Sequence, residues 1–67
     1  MRIDRIKLIA AMARQDLTVK ALAEKALVSR MTVSAMRCGK SVNENSARRV
    51  AQALGTDVTS LLESKET

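Results

Sequence analysis

Apolar residues recur at helical spacing along almost the whole chain, and polar breaks divide them into five segments. Residues 3–16 contain neither Gly nor Pro, and Ile3, Ile6, Ala10, Ala13 and Leu17 follow a 3-4-3-4 spacing that predicts a first helix. Leu8, Ile9 and Met12 widen the stripe, so periodicity alone leaves its inward face open. At Asp16-Leu17-Thr18 the pattern stops and restarts. Thr18 is a good N-cap for a short second helix over about residues 18–26, with Ala21, Leu22 and Ala26 on its buried side.

Leu27-Val28-Ser29 is the next break. Ser29 predicts an N-cap whose hydroxyl accepts the amide of Met31 or Thr32, opening a third helix to about Cys38 with Val33 and Met36 inward. Gly39 stands where a helix end wants a positive φ, and Lys40 through Asn43 form a polar connection. Asn43 predicts the cap of a fourth helix, with Ala47, Val50, Ala51 and Leu54 inward, and Gly55 ends it as Gly39 ends the third. Thr56 or Asp57 then starts a last short helix with Val58, Leu61 and Leu62 apolar, and residues 64–67 are expected to fray. The expectation is an all-α, five-helix domain over residues 1–63.

Composition narrows this picture. At 67 residues the chain is one domain with no room for a large cleft. The absence of Pro, His and aromatic residues, with abundant Ala, Leu, Lys, Arg and Glu, favours helix over sheet. No apolar run approaches the roughly 18 residues needed to cross a bilayer, and Arg2, Asp4 and Arg5 break any signal-peptide apolar region, so a soluble cytoplasmic protein is expected. Cys38, the single cysteine, makes no internal disulfide, and without His it makes no zinc site. No metal, cofactor or small-molecule ligand is implied. Nor is catalysis, since paired carboxylates, a glycine-rich phosphate loop and an activated nucleophile are all missing.

Charge adds a direction. The formal net charge is +5, and residues 25–49 alone carry Lys25, Arg30, Arg37, Lys40, Arg48 and Arg49 against Glu44. A basic middle points to a polyanionic partner, because phosphate neutralisation with counterion release supplies most non-specific nucleic-acid affinity. A solvated basic surface is the plain alternative. The second and third segments sharpen the choice: two short helices joined by a tight turn, the second opening with exposed polar residues, form the helix-turn-helix pattern. A helix fits the major groove, where each base pair presents a distinct set of donors, acceptors and methyls.

The stretches Leu17-Thr18-Val19-Lys20-Ala21-Leu22-Ala23-Glu24-Lys25, Val28-Ser29-Arg30-Met31-Thr32-Val33-Ser34, Gly39-Lys40, Val50-Ala51-Gln52-Ala53-Leu54-Gly55 and Leu61-Leu62 together resemble the Cro/C1-type (Xre-family) helix-turn-helix repressors. The resemblance covers nearly the whole chain. It implies a lambda-repressor-like fold and a homodimeric transcriptional regulator, a repressor of phage or mobile-element type, reading a palindromic operator in double-stranded DNA. Such a protein would be nucleoid-associated while bound. Three positions depart from the family pattern. Val19 replaces a Gln that bonds phosphate, leaving Thr18 and Lys20 as the backbone contacts there. Leu27 replaces a Gly in the turn. Met12 and Arg37 replace an Arg–Glu pair, and Arg37 is expected to lay its stem on Met12 and turn its head to water or phosphate.

The expected base-reading residues are Arg30, Met31, Thr32, Ser34 and Ala35. Arg30 suits guanine O6 and N7, with a phosphate contact as its alternative; Met31 suits a thymine methyl, with packing against Met12 or another helix as its alternative. The expected phosphate contacts are Thr18, Lys20, Ser29, Arg37, Lys40, Asn43 and Asn45, the last three surrounding the start of helix four. Arg48 and Arg49 read as a solvated face. Val58, Leu61 and Leu62 either form part of a dimer seam or finish the core. Residues 42–50 also echo the third helix of the LacI-class headpiece, but that headpiece begins directly at the reading motif, whereas here a helix precedes it. A protein-interaction module of antirepressor or antitoxin type, keeping the fold without the reading, is the competing function.

Overall fold

The structure, a computed structural model, describes residues 1–62. Four α-helices follow one another: α1 (Arg5–Arg14), α2 (Val19–Ala26), α3 (Arg30–Arg37) and α4 (Glu44–Ala53). Among the described residues no strand forms, and the chain is all-α. The expected fifth helix is a single 3-10 turn at Val58–Leu61. Two features stop it there. Asp57 makes no side-chain cap bond, and Leu62 turns extended to pair with Ile3, while the Asp4 amide donates to the Leu61 carbonyl at 2.7 Å. A 3-10 turn stacks residues three apart, so Val58 and Leu61 reach the core together without a longer helix. Glu63 and the expected tail at residues 64–67 lie outside the described residues.

Each α-helix starts on a side chain that accepts one of its orphan amides. Asp4 accepts from Ile6 at 2.9 Å, Thr18 from Ala21 at 3.0 Å, Ser29 from Thr32 at 3.1 Å and Asn43 from Ser46 at 2.8 Å. Each also ends in one pattern, a left-handed residue followed by two backward amide bonds. The left-handed residues are Asp16, Leu27, Gly39 and Gly55. At the second of these the Leu27 amide bonds to Glu24 and the Val28 amide to Ala23; at the third, Gly39 bonds to Met36 and Lys40 to Ala35. The two glycines were legible as helix ends. Asp16 and Leu27 take the same conformation without the glycine that makes it cheap.

Packing is aliphatic throughout: α2 lies on α3 and α4, α1 lies on α3, and the 3-10 turn closes against α4 and α1. Ile3, Leu8, Leu22, Val33, Met36 and Val50 are fully buried, and among the described residues no polar side chain is. The inward face of α1 is Leu8, Ala11 and Met12. The 3-4-3-4 stripe therefore fails as a core face, since Ile6, Ala10 and Ala13 point to solvent and Ile6 is 65% exposed. Of that stripe, Ile3 is buried just before the helix and Leu17 packs just after it. On α2 the buried residues are Leu22, Ala23 and Ala26, with Ala21 only half-buried. On α3 and α4 the expected inward residues are all buried.

Candidate nucleic-acid interface

The corner between α2 and α3 is built locally. Leu27 turns the chain with φ +60, Val28 packs against the core, and Ser29 caps α3 while its Oγ lies 2.9 Å from Thr32 Oγ1. Val33 and Met36 anchor α3 from beneath at full burial. At 100° per residue, those two anchors send Met31 and Cys38 directly outward, with Arg30, Ser34 and Arg37 along one flank and Thr32 and Ala35 along the other. Met31 is 83% exposed; Arg30, Ser34 and Arg37 are exposed, and Thr32 and Ala35 are half-buried. Packing of Met31 against Met12 is thereby ruled out, because Met12 sits in the core.

Met31, Thr32 and Ala35 share one shallow groove with Ser41, Val42, Asn43 and Ser46. The structure thus brings three of the five base-reading candidates beside Asn43 at the start of α4. Asn43 holds its cap through Oδ1, and its Nδ2 makes no hydrogen bond among the described residues. Asn45 lies just outside, around a depression shared with Asn43, Glu44 and Arg48, where Arg48 and Glu44 form an ion pair one helical turn apart. Lys40 is exposed on the connecting loop, and Lys20 on the first turn of α2. Ser29 and Thr18 have their oxygens engaged as caps, and the Ser29 hydroxyl is also shared with Thr32 Oγ1; the Thr18 hydroxyl would meet a phosphate with its proton.

Arg37 stands apart from the groove. It lines a separate depression with Ile9, Met12, Ala13 and Leu17, keeping its side chain exposed beside the buried Met12. The Met12/Arg37 exchange therefore leaves no buried charge. Val19 is half-buried and packed on the core. The candidate dimer seam also changes: Leu61 is 3% exposed and belongs to the core, with Val58 and Leu62 packed against it. Leu61 thus completes the core, while Val58 and Leu62 pack against it and stay half-buried.

No family model, curated protein or solved structure matches this chain. The functional reading rests on residues and geometry. Among the described residues no cluster of His, Cys, Asp or Glu could hold a metal ion, and no helix is long and apolar enough to cross a membrane.

Several positioning contacts had no signal in the sequence. Gln15 Nε2 donates to the Leu54 carbonyl at 2.7 Å, and Arg49 donates to Leu27. The N-terminal segment runs beside the α3–α4 loop: the Val42 amide donates to the Met1 carbonyl at 2.9 Å, Arg2 pairs with Ser41, and the Arg2 guanidinium donates to the Gly39 carbonyl. These partners lie 22 to 41 residues apart, beyond the reach of any local pattern.

Proposed function

We propose that this chain binds double-stranded DNA sequence-specifically, as a transcriptional regulator of the Cro/C1 type, with α2 and α3 as its helix-turn-helix. In this reading α3 enters the major groove and the loop before α4 rests on the sugar-phosphate backbone. Two copies would bind the half-sites of a palindromic operator about one helical turn apart, in the cytoplasm. The observation that carries the reading is the division of α3: Val33 and Met36 are fully buried, while Arg30, Met31 and Ser34 are exposed on its outer face. A helix presented in this way matches the width of the major groove. The basic residues and the absence of Asp or Glu between Lys25 and Asn43 supply the attraction to phosphate.

Met31 and Leu27, 83% and 77% exposed, are the observation that favours a protein-interaction module instead, since apolar side chains this exposed suit a protein partner. One substitution separates the readings. Ser34→Glu places a carboxylate on the exposed flank of α3 beside Arg30, where it would repel phosphate. Retained melting temperature with loss of binding to duplex DNA supports DNA reading. Unchanged DNA binding by the variant would overturn it.

A further inference from the structure

Helix α1 is apolar on two opposite faces. At 100° per residue, Leu8, Ala11 and Met12 cluster on the buried side, and Ile6, Ile9, Ala10 and Ala13 cluster about the opposite line. Ile6 is 65% exposed and Ile9 37%, and both alanines are exposed. One turn further on, Leu17 joins Ile9, Met12, Ala13 and Arg37 around a shallow depression. The regular stripe that fails as a core face is therefore a second apolar face, with Ile6 as a knob at one end and the depression at the other. The outward side of a surface helix ordinarily carries polar residues, and a contiguous apolar patch there marks a contact surface. Glu63, Ser64, Lys65, Glu66 and Thr67 hold no apolar side chain that could fill it.

The spacing Ile6, Ala10, Ala13, Leu17 runs 4-3-4 and so reads the same in both directions. Two antiparallel copies of α1, related by a two-fold axis between residues 11 and 12, put each Ile6 on the other copy's Leu17, at its depression. They also put each Ala10 on Ala13, where small side chains permit close approach. Such a contact is isologous, with the 3-4 spacing of a coiled-coil seam. Charge favours the same orientation. Helix α1 holds Arg5, Lys7 and Arg14 and no acid, so parallel copies would set Arg5 against Arg5 and Arg14 against Arg14. In the antiparallel pair Arg5 lies across from residues 16–18, where Asp16 is exposed, Arg14 lies across from Ile9, and the two helix dipoles run in opposite directions. We propose that this face of α1 is the contact between two copies of the chain, packed antiparallel with each Ile6 seated in the other's depression. The inference goes beyond the DNA-binding reading, since it stands whether or not α3 meets DNA. A helix of 10 residues is about 15 Å long, too short for the roughly 1,200 Å² that a stable interface buries, so the pair is weak and forms at high concentration.

The test is sedimentation of the protein without DNA at concentrations up to about 1 mM. The wild-type average mass should rise from one copy toward two. Ile6→Glu should weaken the association by about tenfold or more, while Leu27→Glu, which alters another exposed apolar residue away from α1, should leave it at the wild-type value. Melting curves check that each variant is folded. Mixed together, Ile6→Glu and Ala13→Lys should associate with one another more tightly than either does with itself, because the antiparallel pair brings the two new charges together. A wild-type protein that stays a single copy throughout would overturn the proposal, as would association that survives Ile6→Glu or falls equally with Leu27→Glu. Failure of the charged mixture to associate would overturn the antiparallel arrangement. Binding to duplex DNA is read by separate titration, so either account can fail alone.

Discussion

The Arg49 guanidinium donates to the Leu27 carbonyl oxygen at 3.4 Å, tying the middle of α4 to the turn that aims α3. Leu27 sits there at φ +60 and ψ +41 with its side chain 77% exposed. A branched side chain in this region costs roughly 1–2 kcal/mol, and little burial offsets it. Leu27→Gly should therefore raise the unfolding free energy by about 0.5–1 kcal/mol after allowing for the greater freedom of glycine in the unfolded chain. Urea denaturation measures this. A loss of stability would mean that the leucine side chain holds the turn through contacts its exposure does not suggest.

The inward face of α1 gives a second comparison. Leu8→Ala should cost about 2–5 kcal/mol, because Leu8 is fully buried. Ile6→Lys should stay within about 0.5 kcal/mol of wild type, because that face is solvent-exposed. Thermal melts of the two variants check the assignment, and a large loss from Ile6→Lys would place the core on the other side of the helix.

This is also where the sequence pattern was weakest. On α3 and α4 the apolar positions form one narrow stripe, so Val33, Met36, Ala47 and Val50 identify the buried side unambiguously. On α1 and just before it, Ile3, Ile6, Leu8, Ile9 and Met12 cover most of the circumference, and only the docking of α3 and the 3-10 turn selects Leu8, Ala11 and Met12. Caps were legible wherever a polar residue stood at the break, as at Thr18, Ser29 and Asn43. Asp4 was not, since the 3-4-3-4 spacing assigns Ile3 to the same helix as Ile6. The candidate interface was legible on α3 because its anchors were. Arg37 lies beside Met12 with its side chain exposed, as the sequence suggests, whereas the approach of Arg2 to Gly39 depends on contacts made across 37 residues.

Asn43 separates capping from DNA contact. Asn43→Ala should destabilise the fold by about 1 kcal/mol. Asn43→Asp keeps an accepting oxygen at the helix start and should preserve stability, yet it replaces the Nδ2 donor with negative charge. Calorimetry and DNA titration of the pair should show lost stability only in the alanine variant and weakened binding in both. Undiminished DNA affinity in the aspartate variant would confine Asn43 to capping.

Arg30 and Lys40 should differ in kind. Arg30→Ala is expected to cost about 1–3 kcal/mol of binding and to relax the preference at one base pair, whereas Lys40→Ala should weaken all sequences alike and lower the salt slope by about one. Competition titrations with single-base variants of a bound site distinguish them. A uniform loss from Arg30→Ala would make it a phosphate contact.

The central claim, that α3 reads DNA sequence, is tested most directly by selecting bound molecules from random duplex DNA with the wild-type protein and sequencing them. The account predicts enrichment of a two-fold symmetric motif, its half-sites about one helical turn apart, with a guanine at the position that Arg30→Ala relaxes. Recovery of duplexes without any shared motif would contradict it.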